Sequence, residues 1–339
     1  MSSSFALSSL STVSLIASSG SSIIMELSSS ICFYYLLTSH LKGPGPPYRH
    51  SLDVTVHIIA SILLPTTSLK YEQEVWYTMS EKKGISEGRL QYHLKMKNGD
   101  VADYVLLPGD RARVDLMSAY LKDVTLSGSN REYLAKTGYF NGIKVTIMST
   151  GMGCPAAAIA IEELANIGAK VFIRTGSTGA LQPEIDLGDL IIPSGAVKNE
   201  GTTRMYEPVI IPAVPSTDVL TALIQAAEDM KDTLGFKYHV GISSSDDAFY
   251  AEDQRFIRKL TTLGILSLDM ESSAIFTVAR LRRLKAGSIM AASENFSRKI
   301  MIPEQVPEQL KEGWKKETQV ALRAIEILEK SKGAHTPTI

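Results

Sequence analysis

Three short apolar runs, at 104–107, 145–148 and 171–173, each pass directly into a loop containing glycine. Runs of that length bounded by turn residues read as buried strands. Weaker candidates of the same kind lie at 190–192, 239–242 and 288–291. Between them, AAAIAIEELANI at 156–167 has helical apolar spacing, with Pro155 suited to a first turn and Gly168 to an end. The spacing predicts a second helix over 272–284 and a long amphipathic one over 307–330. Strands alternating with helices point to an α/β domain with a mostly mixed or parallel sheet. Ligands of such sheets collect at the carboxyl ends of the strands. This sequence puts glycines, arginines and hydroxyls there.

Residues 1–78 read differently. Only seven of them are charged, and the first 38 are a mixture of serine, leucine and isoleucine. No Lys or Arg precedes Lys42, so the basic start of a signal peptide is missing. Serines and prolines interrupt every apolar run before a membrane span is reached. A transit peptide fits the serine content but not the scarcity of arginine. The charged stretch MSEKKGISEG at 79–88 looks like an ordinary start of a cytosolic protein. The expected organisation is therefore a leader, 1–78, outside the functional protein, a domain over 79–333, and a loose tail over 334–339.

The 35 Lys and Arg against 36 Asp and Glu leave a formal charge of -1. That balance lacks the basic excess of a general nucleic-acid binder and gives no reason for a membrane partner. Two cysteines, Cys32 and Cys154, cannot make a disulfide framework. The six histidines show no metal-binding spacing, and no metal is expected. The expected location is the cytoplasm.

Five motifs carry chemistry. In LLPGDRAR (106–113), Gly109 allows close approach of backbone N–H groups to an anion, and Arg113 can hold it with two N–H donors. A plain strand-to-helix turn with Asp110 as cap fits as well. STGMGCPAA (149–157) matches G-x-G-x-x-A between strand and helix, a weak dinucleotide signature. The following strand delivers Arg174 rather than the acidic residue such a site needs. IRTGSTGAL (173–181) sets Arg174 beside Ser177 and Thr178, which suits a phosphate; an internal salt bridge is the competing reading. In SLDMESSAIF (267–276), Glu271 can accept two sugar hydroxyls over Met270, or cap a helix. In SSSDDAFYAEDQR (243–255), Phe249 can stack a planar base while Asp253 and Arg255 meet its edge; a polar loop is the simpler reading.

Together these motifs resemble the nucleoside phosphorylase family, most closely its uridine phosphorylase branch. The likeness spans 79 to about 330 and rests on PGDRARV, NREY, STGMGCPAAAIAIEEL, RTGSTGALQPEIDLGD, FYAEDQR and DMES, in that order. It implies the phosphorylase/hydrolase-like fold, a single three-layer α/β/α domain with a central mixed β-sheet. It also implies a phosphate site of Gly109, Arg113, Arg174 and Ser177, completed by Arg131 from a neighbouring subunit. The implied ribose site is Met270, Glu271 and His93, the histidine reaching across a dimer interface. Thr178, Gly179, Phe249, Asp253 and Arg255 are the implied base pocket. The implied assembly is a homo-oligomer, usually a hexamer built as a trimer of dimers.

The implied reaction is reversible phosphorolysis of uridine to uracil and ribose 1-phosphate, with inorganic phosphate as co-substrate and no cofactor. Arg113, Arg174, Glu271 and Arg255 are its expected catalytic residues, and Arg255 steadies the departing base. Asp253 stands where the family has a uracil-reading glutamine, and the stretch 256–265 is shorter than in well-known uridine phosphorylases. Glu294 lies near where the purine branch carries an acid for the purine N7. A purine nucleoside phosphorylase is thus the alternative. A dinucleotide-binding oxidoreductase and a non-catalytic nucleoside-binding protein are the more distant ones.

Overall fold

The computed structural model describes residues 14–17, 23–26, 88–301 and 305–332. The chain divides into two compact units, Met1–Lys82 and Lys83–Ile339. In the first, two short strands, Ser14–Ala17 and Ile23–Glu26, pair antiparallel. The rest of the leader and the 334–339 tail lie outside the described residues.

The second unit is built on nine strands: β1 (Tyr104–Leu107), β2 (Lys122–Asn130), β3 (Tyr133–Phe140), β4 (Ile143–Met148), β5 (Val171–Ala180), β6 (Leu190–Asn199), β7 (Tyr238–Asp246), β8 (Ser267–Asp269) and β9 (Lys285–Asn295). Six helices of two turns or more accompany them: α1 (Arg111–Ser118), α2 (Cys154–Asn166), α3 (Thr217–Leu234), α4 (Gln254–Thr262), α5 (Ser272–Leu281) and α6 (Glu308–Ser331). One mixed sheet runs in the order β8-β7-β6-β9-β5-β1-β4-β3-β2. Its centre is parallel, with β1 between β4 and β5, and β9 alongside β5.

The alternation of β1 explains the layers. Tyr104 and Leu106 pack with Val114 and Met117 of α1, Leu223 of α3 and Ile325 of α6. Val105 and Leu107 face the other way, onto Ile161 and Leu164 of α2 and Ile275 of α5. Side chains on a strand point to opposite faces in turn, so a strand buried on both sides is apolar throughout. The α/β/α arrangement with a mixed sheet is the one expected.

Several elements exceed their expected bounds. The strand expected to stop at Ile173 continues through RTGSTGA to Ala180, although glycine, serine and threonine there look like a loop. Pairing decides it. β9 follows β5 from Val171 to Ala180, and β8 pairs antiparallel with its end, Leu268 opposite Gly179. Since β8 also pairs with β7, strands β5, β9, β6, β7 and β8 close into a ring. β2, β3, β8, α1, α3 and α4 add to the elements expected from the sequence.

Candidate active site

A cavity of about 560 Å³ opens at the carboxyl ends of β1, β5 and β9. Its wall at one end is Gly109, Arg113, Arg174, Gly176, Ser177 and Trp314. Asp110 caps α1, accepting from the Ala112 N–H at 2.9 Å, and this starts the helix that carries Arg113 two residues into its first turn. Arg113 is buried, lies 4.9 Å over the Trp314 ring and pairs with the buried Glu317 of α6. Burial and the like charge of Arg174 push Arg113 down from the usual guanidinium range. The Asp110 carboxylate acts against that shift. Trp314 also donates from Nε1 to Ser177 Oγ at 2.9 Å, tying α6 to β5.

Arg174 is 3% exposed and is ion-paired. Its Nε donates to Asp269 Oδ2 at 2.8 Å, and its Nη2 lies 2.5 Å from Glu271 Oε2. The salt-bridge reading of this arginine is therefore correct in part, and Arg174 still lines the cavity. Asp269 is held in turn by Ser245 Oγ at 2.6 Å and by Ser272 N–H at 3.0 Å. Glu271, 4% exposed, accepts from the Gly153 N–H at 2.7 Å. Burial pushes its carboxyl up, against the pull of Arg174. The glycine loop 151–153 thus serves the carboxylate rather than a dinucleotide. Gly151 (φ 74°) could not carry a side chain, because a Cβ would sit 2.8 Å from Glu132 Cγ.

Gly176 makes room for the guanidinium: a Cβ there would lie 2.9 Å from Arg174 Nη2. Gly176→Ala is expected to tilt Arg174 and lower kcat/KM on the order of 10²-fold while the circular dichroism spectrum is kept. Unchanged steady-state kinetics in that variant would show the Arg174 position to be unimportant.

The other end of the cavity is lined by Thr178, Gly179, Phe249, Glu252, Glu294 and Phe296. A bulge in β9 between Ala292 and Glu294 brings Glu294 opposite Gly179. The Phe296 ring fills the space of the missing Gly179 side chain. Met270 lies on the wall between the two ends, next to Glu271.

Four expected residues are not brought to this wall. Asp253 is the N-cap of α4, its Oδ1 accepting from Arg255 N–H at 2.8 Å and Phe256 N–H at 2.7 Å. Those bonds engage Oδ1 of the carboxylate expected to read the base, and Asp253 and Arg255 are both exposed. Arg131 is exposed at a left-handed turn (φ 52°) between β2 and β3 and does not line its own chain's cavity, although the next residue, Glu132, does. His93 has its Nδ1 2.6 Å from Glu163 Oε1, which makes Nδ1 the donor and leaves Nε2 free to meet a partner. Cys154 is buried, and desolvation pushes its thiol up, so it is a packing residue.

A profile of the phosphorylase superfamily matches residues 103–327. The chain belongs to the phosphorylase superfamily. Among curated proteins it is 38% identical to the guanosine phosphorylase of Halorubrum lacusprofundi over 70% of this chain and 99% of that protein. It is 43% identical to the uridine phosphorylase of Thermococcus kodakarensis, over 65% of this chain and 82% of the relative. The crystal structure of uridine phosphorylase from Vibrio fischeri superposes with a TM-score of 0.63 at 35% identity, covering 73% of this chain and 98% of that one.

In this phosphorylase, Trp314, Glu252, Gly176 and Phe296 on the wall, and Glu317 behind Arg113, are among the residues that sequence reasoning missed. Glu317 had a readable signal. It falls on the apolar stripe of α6 with Leu310, Val320, Ala321 and Ala324, where an acid is out of place unless paired.

Proposed function

We propose that the protein is a nucleoside phosphorylase that cleaves uridine with inorganic phosphate to give uracil and ribose 1-phosphate. The observation that carries this reading is the Arg174–Glu271 pair. An arginine suited to phosphate and a carboxylate suited to sugar hydroxyls touch, so a phosphate on one lies against a ribose on the other. Attack at the anomeric carbon needs that adjacency. Arg113, Arg174, Ser177 and the Gly109 backbone hold the nucleophile and offset the charge built up on the sugar. Glu271 and Met270 hold the ribose, and Thr178, Gly179 and Phe249 the base.

Base roles for Asp253 and Arg255 require the 246–255 segment to fold inward over a bound base. Arg131 and the free Nε2 of His93 complete the site of a second copy, which makes the active species at least a dimer and, by family habit, a hexamer. The exposed Leu90 and Tyr92 beside His93 support a covered face there. The domain is read as the working enzyme of nucleoside catabolism and pyrimidine salvage, in the cytoplasm, with the 1–78 leader contributing nothing to catalysis. No described helix is long and apolar enough to cross a membrane. Inorganic phosphate is the co-substrate, and no step calls for a metal or organic cofactor.

A second reading, phosphorolysis of guanosine or inosine, is favoured by Glu294 at the base end. Turnover of uridine, inosine, guanosine and adenosine with and without phosphate separates the two. Activity on inosine with inertness towards uridine would move the assignment to the purine branch.

A further inference from the structure

The base end of the cavity holds a carboxyl that none of the motifs above accounts for. Glu252 sits between the Phe249–Ala251 turn and the Asp253 cap, half-buried, and faces the cavity together with Phe249, Glu294 and Phe296. Its neighbour Asp253 caps α4 and does not line the wall, so Glu252 is the acid of this loop that reaches it. We propose that Glu252 is the general acid of the reaction, giving its proton to the departing base. This rests on the nucleoside phosphorylase reading and names the group that serves its leaving base.

The chemistry of the leaving group asks for such an acid. Phosphate oxygen forms a bond to the anomeric carbon as the carbon–nitrogen bond breaks and leaves its electron pair on the base. The O–H proton of Glu252 passes to the base, and Glu252 becomes a carboxylate. The sugar phosphate releases the proton that the attacking hydrogen phosphate carried, and Glu252 recovers one from solvent. Atoms and charge balance with no further reactant.

The surroundings carry that proton up into the neutral pH range. Desolvation by burial acts most on Glu252, and the negative charges of Asp246 at the end of β7 and Glu294 of β9 add to it. Together they push the carboxyl up to about 7. The charged neighbours on its own loop, Asp253 and Arg255, are exposed. The sign follows: Glu252 is an acid below about pH 7 and an inert carboxylate above it.

The test compares Glu252→Gln with the unaltered protein on two kinds of substrate over a range of pH. One is the natural nucleoside turned over best; the other has a base that leaves without help, 7-methylguanosine or 5-fluorouridine. The variant is expected to lose about 10²–10⁴-fold on the natural nucleoside and little on the activated one. The fall in kcat/KM above about pH 7 should disappear with it. Glu294→Gln should move that fall to lower pH, because it removes a negative neighbour. Equal losses on both substrates, or a variant that keeps the original rate and pH profile, would overturn the role of Glu252. A protein inert towards every nucleoside with phosphate present would instead overturn the phosphorylase reading beneath it.

Discussion

Arg174→Ala is expected to abolish phosphate-dependent cleavage and to destabilise the fold together. The guanidinium is buried against Asp269 and Glu271, two carboxylates that are themselves nearly inaccessible. Removing one partner of a buried pair strands the other charge, at a cost of about 3–5 kcal/mol. Here two carboxylates are stranded, and one of them, Asp269, also organises the start of α5 through Ser272. Urea unfolding and steady-state kinetics on the same preparation measure both effects. A stable, inactive Arg174→Ala protein would mean that the network is catalytic without being structural. An active one would remove Arg174 from the phosphate site.

Glu271→Gln separates what Arg174→Ala joins. Burial and Asp269 push the Glu271 carboxyl up, so the folded state favours its neutral form. A group whose pKa is raised on folding contributes stability below its unfolded value and loses it as pH rises. At neutral pH the charged Glu271 is therefore a liability to the fold, tolerated because Arg174 and the Gly153 N–H face it. The neutral glutamine is expected to leave stability unchanged or slightly higher while kcat/KM falls on the order of 10²–10³-fold. The fall should also be selective. A 2′,3′-dideoxynucleoside lacks the hydroxyls that Glu271 accepts, so its disadvantage against the parent nucleoside should shrink in the variant. A variant that still discriminates as strongly would place the ribose hydroxyls elsewhere.

Much of this was legible in the sequence, for reasons that differ by residue. The strand at 104–107 and the helix after Pro155 follow from local signals alone, an apolar run and a proline at a first turn. Gly109, Arg113, Arg174, Ser177, Thr178, Gly179, Met270, Glu271 and Phe249 were named from their motifs and meet in one cavity. Local sequence could not show that β5 runs on through its glycines, because that depends on β8 and β9 pairing along it. Nor could it choose between Glu252 and Asp253, adjacent acids of like chemistry. Their division of labour, cavity and helix cap, is set by where α4 begins. The placement of Trp314 and Glu317 behind Arg113 depends on α6 returning across the sheet, with Trp314 coming 201 residues after Arg113 (314 minus 113), which no motif encodes.

The most direct test of the account is release of free base from uridine and guanosine by the purified protein, followed with and without inorganic phosphate. The account predicts turnover of at least one of the two that rises from zero with phosphate and yields ribose 1-phosphate in equal amount. Base release that ignores phosphate, or no release from either nucleoside, would contradict it.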